Sequence, residues 1–410
     1  MKEYGLIELD NGIRLVHREI KSTKIAHVGI MLDIGSRDEQ PGEEGIAHFW
    51  EHMAFKGTTH RNSFHILNRL EAVGGELNAY TTKEKICFYA SVLQEHLDRA
   101  IELLVDITFH STFPKHQIER EKMVILEEMA MYRDTPEDAI QDDFDEIVFR
   151  GHPLGTNILG TEQSVPNITQ EHFFRFIERN LNTHKIVVSA VGNFDQKKFE
   201  RVARKYLEEI PAQHHTQDRL HFQRNDTQKL QVIKPISQVH VALGSHAYPI
   251  GDDRRIPLFL LTNILGGPYM NSKLNLALRE KNGLVYGVEA NYSAYKDTGL
   301  FSIFFATDPR NLKKSLRLVL KEIKGLCDLE MSPTALRKAK QQIKGHLAMS
   351  EENNNAMMLM MAKSLLDLGR VPSLTAVFDR IDALEAGELR MIAGEILGHE
   401  LDSLIYEPGD

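Results

Sequence analysis

Ile46-Ala47-His48-Phe49-Trp50-Glu51-His52-Met53-Ala54-Phe55-Lys56-Gly57-Thr58 is the stretch around which the rest of the chain is organised. Read as a helix advancing about 100° per residue, it places His48, Glu51 and His52 within one arc of roughly 100°. Ile46, Phe49, Trp50 and Met53 fall on the opposite arc, and Gly57 is a natural stop. One face can pack while the other presents two imidazoles one turn apart beside a carboxylate. Imidazoles at that spacing can share a tetrahedral Zn²⁺, and the adjacent carboxylate can take a proton from a bound water. The solvated face of an ordinary amphipathic helix could carry the same residues in a chain with 19 His, so a second segment has to decide between the readings.

That segment is a helix expected at about residues 115–132. Glu121 and Glu128 are seven positions apart and share a face to within about 20°. Their neighbours on the wheel are Val124, Ile125 and Tyr132, whereas Glu119, Lys122 and Arg133 fall on the far side and Glu127 points to the polar arc. Two carboxylates where core residues belong need a cation or a metal nearby, because an unpaired buried charge is costly. Glu128 is the natural third ligand beside His48 and His52.

Composition leaves room for this chemistry and excludes other classes. With 410 residues, the chain is long enough for two or three domains with ample cores. Its net charge of −9, without a dense Lys/Arg run, argues against a nucleic-acid partner. Cys87 and Cys327 alone cannot make a cysteine zinc site or a disulfide framework. The first residues lack the apolar run of a signal peptide, and no apolar stretch approaches the ~20 residues of a membrane span. The expectation is a cytoplasmic protein that does not enter the membrane.

Working outward, residues 6–15 read as a hairpin around Asn11-Gly12, 26–34 as a buried strand and 63–73 as a short helix ending at Gly74-Gly75. Strands follow at 76–81 and 86–91, then a helix at 97–109. Helices at 136–149 and 170–181, a strand at 185–191 and a helix to about 209 complete the first half. Residues 211–228 are polar and nonperiodic, a linker. The pattern then restarts: strands at 230–233 and 239–244, helices at 257–265 and 269–279, strands at 285–292 and 300–305, and a helix at 312–326. Residues 88–104 and 303–319 match in pattern. The expected fold class is α+β, with two similar domains, each an antiparallel sheet covered by helices on one face. Their boundaries are 1–215, a linker at 216–228, and 229–410; the second half, which ends in helices and a strand at 403–406, has no His-x-x-Glu-His of its own.

The order His-x-x-Glu-His is the inverted form of the commoner zinc motif. Together with Val124-Ile-Leu-Glu-Glu128-Met, it resembles the pitrilysin/insulinase family of zinc peptidases, in the branch of the mitochondrial processing peptidase and its small bacterial relatives. Gly74-Gly-Glu-Leu-Asn78-Ala79-Tyr-Thr, His152-Pro-Leu-Gly with Leu159-Gly-Thr-Glu162, and Leu278-Arg279-Glu-Lys-Asn-Gly283-Leu-Val-Tyr286 match further landmarks, so the likeness covers nearly the whole chain. The resemblance implies one Zn²⁺ per chain on His48, His52 and Glu128, with Glu51 as general base and Glu121 as a supporting carboxylate. It implies that Asn78 and Ala79 lie on an edge strand pairing with an extended peptide substrate. Arg279 and Tyr286 are implied to donate from the second domain to the substrate backbone or the oxyanion. Family members of this length form half of a clam-like chamber that admits unfolded peptides. A homodimer is the simplest assembly, because this chain carries both residue sets. The alternatives are a catalytic subunit needing a different partner chain and a noncatalytic peptide-binding or scaffold relative. Where such relatives commonly carry Gly-Gly-Gly-Met-Ser-Ser-Arg-Leu, this chain has Gly266-Gly-Pro-Tyr-Met-Asn-Ser-Lys-Leu274.

Overall fold

The computed structural model describes residues 4–215 and 219–409, so 216–218 of the expected linker lie outside the described residues. The chain divides into two compact units. Unit 1 comprises Met1–Met129, Thr156–Leu220 and Met349–Val371; unit 2 comprises Ala130–Gly155, His221–Ala348 and Pro372–Asp410. The chain-order boundaries expected above therefore differ from the compact units, which exchange one segment each.

The strands are β1 (Gly5–Glu8), β2 (Arg14–Glu19), β3 (Ile25–Leu32), β4 (Glu76–Thr81), β5 (Ile86–Leu93), β6 (Ile186–Gly192), β7 (Lys229–Lys234), β8 (Val239–Ala247), β9 (Val288–Ala294), β10 (Gly299–Thr307) and β11 (Asp402–Pro408). Helices α1 (Ile46–Ala54), α2 (Ser63–Glu71), α3 (Leu97–Phe109), α4 (Lys115–Arg133), α5 (Pro136–Val148), α6 (Gln170–Asn180) and α7 (Gln196–Leu207) belong to the first half. The second half has α8 (Arg255–Gly266), α9 (Leu312–Asp328), α10 (Pro333–Glu351), α11 (Asn354–Leu368), α12 (Leu374–Asp382) and α13 (Ala386–Leu397).

The sheet of unit 1 runs β1-β2-β6-β3-β5-β4 and that of unit 2 runs β7-β11-β8-β10-β9. Strand by strand, β2-β6-β3-β5-β4 corresponds to β7-β11-β8-β10-β9, which bears out two similar α+β domains; β1 is an addition. Each sheet is mixed rather than wholly antiparallel: β2 and β6 pair in parallel (Arg14 opposite Val187), as do β11 and β7 (Ser403 opposite Lys229).

Helices cover both faces of each sheet, not one. On the unit 1 sheet, Val16, Met31, Cys87, Val187 and Val191 pack against Met357, Met358, Met361, Leu365 and Leu366 of α11. Gly29 of β3 lies under this helix, and a Cβ there would come within 2.9 Å of Met358 Sδ. The alternate residues of β3 turn the other way, where α3 packs on β3 and β5 and α7 on β2. In unit 2, Val241, Leu243, Phe301, Ile303 and Phe305 face α8, α9 and α13. Ala242, Leu300, Leu404 and Tyr406 face Ile140, Phe144, Ile147 and Val148 of α5. The exchanged helices α5 and α11 thus supply the second layer of each unit. Their physical reason is visible in β6, whose seven residues are all buried, as a strand sandwiched between helices requires.

Two details depart from the sequence reading. A helix expected at 269–279 is a turn followed by a π-helical segment at Asn275–Glu280, with Lys281 N–H donating to Leu276 C=O. Within the linker, Arg219 is anchored, bonding Asp33 at 3.0 Å and Asp38 at 2.7 Å. No helix among the described residues is long and apolar enough to cross a membrane.

Candidate metal centre

Helix α1 is fixed from behind. Phe49 meets Phe173 at 5.1 Å, and Trp50 meets Phe88 and Phe176, each at 6.3 Å. Its start is a close backbone crossing. Gly45 adopts φ +91° and lies against Gly160, where a Cβ would sit 2.3 Å from the Glu44 carbonyl oxygen. The Leu159-Gly-Thr-Glu162 landmark therefore has a packing cause. Gly45 has no side chain to cap the helix, and Glu39 does so instead, accepting from the N–H groups of Gly45 and Ala47, both at 2.9 Å.

With its apolar arc buried, α1 turns His48, Glu51 and His52 toward α4. On α4 the buried stripe is Ile118, Glu121, Lys122, Ile125 and Met129. Glu121 lies on that stripe as its spacing requires, and Glu127 is exposed. The stripe is turned slightly from the expected phase: Lys122 is buried and paired with Glu119, whereas Val124 is 47% exposed.

The donors of His48, His52 and Glu128 lie within 4.8 Å of one another. Glu128 Oε2 is 3.8 Å from His48 Nε2 and 3.5 Å from His52 Nε2. Donors about 2.1 Å from a tetrahedral centre are roughly 3.4 Å apart, so the set fits a Zn²⁺-sized ion with little adjustment. The tautomer also fits. His52 Nδ1 donates to Glu121 Oε2 at 3.2 Å, which leaves Nε2 free to ligate, and Lys56 Nζ holds the other Glu121 oxygen at 2.7 Å. His48 Nδ1 is buried without a hydrogen-bond partner.

Electrostatics agree with the geometry. Burial, with a smaller push from His52, lowers the His48 pKa to about 3, so this ring is neutral and able to ligate at pH 7. Burial raises the Glu51 carboxyl above its usual value, against the hydrogen bond from Thr81. Burial raises Glu128 as well, whereas at Glu121 it is outweighed by His52 and Lys56, which bring that carboxyl below its usual range. Among the described residues neither Glu51 nor Glu128 makes an ion pair with Lys or Arg. A cation held beside such carboxylates favours their charged form.

Thr81 and Lys56 were not singled out from the sequence. Thr81 Oγ1 donates to Glu51 Oε2 at 2.6 Å, joining the carboxylate to β4. That strand is the outer edge of its sheet, with Asn78 opposite Tyr89 and Ala79 opposite Phe88. Asn78 and Ala79 thus lie on an edge three and two positions from the residue that holds Glu51. Arg279 and Tyr286 belong to unit 2, where the guanidinium lies 5.5 Å from the Tyr286 ring centre and the tyrosine is 91% exposed.

A paired-repeat α+β frame with an inverted two-histidine motif and a distant glutamate defines a class of metallopeptidase. Comparison with known proteins gives the family. The model of "Insulinase (Peptidase family M16)" matches residues 14–162, and that of "Peptidase M16 inactive domain" matches residues 167–343. The uncharacterized zinc protease YmxG of Bacillus subtilis is 31% identical over 398 residues, covering 97% of both chains. An uncharacterized zinc protease of Streptomyces coelicolor is 32% identical over 407 residues, covering 98% of this chain and 88% of that one. A protease from Helicobacter pylori has the same fold, with a TM-score of 0.91, 21% identity and 99% of each chain covered. The chain belongs to peptidase family M16, the insulinase family.

Proposed function

We propose that the chain is a zinc-dependent endopeptidase that hydrolyses peptide bonds of unfolded peptides or oligopeptides. The observation that carries this reading is a single cluster in which the donors of His48, His52 and Glu128 converge beside a Glu51 tethered to an open sheet edge. A noncatalytic relative would have no use for Glu51.

His48, His52 and Glu128 would hold one Zn²⁺, with Glu121 orienting His52. When bound, the ion supplies a Lewis acid for the scissile carbonyl and acidifies a water. The chain's own residues do the rest. The edge of β4 at Asn78 and Ala79 binds the substrate backbone by strand addition, which is indifferent to side-chain sequence. Glu51, raised in pKa by burial, accepts the proton of the attacking water and returns it to the leaving amine. Thr81 holds the carboxylate in aim during both transfers. Arg279 and Tyr286 supply donors to the substrate backbone or the oxyanion. The assembly that suits this reading is a homodimer enclosing a chamber, working in the cytoplasm with both cysteines as free thiols.

Glu51→Gln tests the assignment. The variant keeps its zinc, and peptide cleavage falls by about 10²–10⁴-fold, the usual contribution of a general base. Equal cleavage by both proteins would remove Glu51 from the mechanism. Solution mass of the purified, active chain tests the homodimer; a monomer that cleaves only after lysate is added would point to a different partner chain.

A further inference from the structure

A second group of metal-ligating side chains in unit 1 lies outside the centre described above. His60, Asp106 and His110 bring one donor atom each to within 4.8 Å of one another. Asp106 Oδ1 is 2.7 Å from His60 Nδ1 and 3.4 Å from His110 Nδ1, and the two rings meet edge to face at 5.1 Å. We propose that His60, Asp106 and His110 form a second binding site for a divalent transition-metal ion such as Zn²⁺.

Four observations carry this. The donor set, two imidazoles and a carboxylate, is one that zinc prefers; the His110–Asp106 distance of 3.4 Å matches the roughly 3.4 Å spacing of tetrahedral ligands, and the His60–Asp106 pair, hydrogen-bonded at 2.7 Å, opens on taking up the ion. Asp106 is 4% exposed in its side chain, and its second oxygen is fixed by Thr58 Oγ1 at 2.9 Å and Arg61 Nη1 at 2.6 Å. The carboxylate is thus oriented with Oδ1 turned to the imidazoles. Arg61 pairs with Asp106 and Glu102, and Arg69 with Glu102, so the two guanidinium charges here are matched by two carboxylates. His110 Nδ1 is shielded from water yet makes no hydrogen bond, an orphaned atom that a metal would satisfy.

The backbone frame is also in place before any ion arrives. Thr58 and Ser111 form a β-bridge, and Thr59 N–H donates to His110 C=O at 2.9 Å. The loop that follows α1 is thereby pinned to the C-terminal end of α3. His60 is 58% exposed in its side chain, so the site is open to an ion from solvent. An ion here would brace the segment that leaves the helix bearing His48 and His52.

The test is a titration of the metal-stripped full-length chain with Zn²⁺ against a chromogenic chelator. Wild type is expected to take two equivalents, and H60Q/H110Q and H48Q/H52Q one each. A wild type that takes a single equivalent, which H60Q/H110Q still takes, overturns the proposal. So does a second equivalent that survives in H60Q/H110Q. If circular dichroism shows the double variant unfolded, the exposed single change H60Q decides: the weaker of two affinities should drop at least tenfold, and an unchanged affinity refutes the site. Failure of the catalytic centre has a different signature, an H48Q/H52Q protein that binds as wild type does.

Discussion

Thr81→Val removes one hydroxyl from the wall of the centre and adds a methyl of the same size. Thr81 Oγ1 donates to Glu51 Oε2 at 2.6 Å, a short bond to a group that works as a carboxylate. Hydrogen bonds to charged groups contribute about 1.5–3 kcal/mol, which corresponds to roughly 10- to 150-fold in rate if the bond holds Glu51 in its working position. Valine suits a β-strand as well as threonine does, so β4 and its pairing with β5 should persist. The assay is steady-state cleavage of a quenched fluorescent peptide, with zinc content measured on the same sample. The loss should fall on kcat, KM should change less than threefold, zinc should be retained, and Thr81→Ser should restore most of the rate. A Thr81→Val enzyme within twofold of wild type in kcat, with full zinc, would show that Glu51 needs no tether and would refute the reasoning.

Glu121→Gln keeps the shape of a side chain that bonds His52 Nδ1 at 3.2 Å and Lys56 at 2.7 Å, but loses its charge. Zinc affinity should fall about 10- to 100-fold, read by chelator competition, and unchanged affinity would show that His52 is oriented without it. The acid limb of stability is tested at His17, 4% exposed between Phe194 and Phe199, whose pKa burial lowers to about 4. The unfolded chain takes up this proton near pH 6.5 while the folded chain refuses it until about 4. The contribution is therefore complete above pH 6.5 and disappears as pH falls through that window, by at most about 3 kcal/mol. His17→Phe should reduce the fall in melting temperature between pH 7 and 4, and an unchanged pH profile would contradict the assignment. His246, also lowered to about 4, leaves a residual dependence.

The centre was legible because helical periodicity is local. His48, Glu51 and His52 share an arc over one turn, and Glu121 and Glu128 over two, so both faces could be drawn from spacing alone. Strand edges and the matching of β5–α3 with β10–α9 were legible for the same reason. What escaped depends on contacts between distant residues. Nothing in α5 or α11 records which sheet it covers: the Met-rich face of α11 fits any flat apolar surface, and its place over Gly29 is decided by a missing Cβ. The Thr81–Glu51 bond joins residues thirty positions apart through a strand pairing that composition does not encode. The small phase error on α4 arose because Lys122 buries its stem while its ammonium reaches Glu119, a habit of long cationic side chains that a polarity wheel misplaces.

The proposed peptidase chemistry depends on His48, His52 and Glu128 gripping one ion. Anomalous diffraction collected on either side of the zinc edge, from crystals of the full chain grown with zinc, tests it most directly. The expected result is a peak about 2.1 Å from His48 Nε2, His52 Nε2 and a Glu128 oxygen. A map with no peak among these three atoms, from crystals whose protein still cleaves peptides, would contradict it.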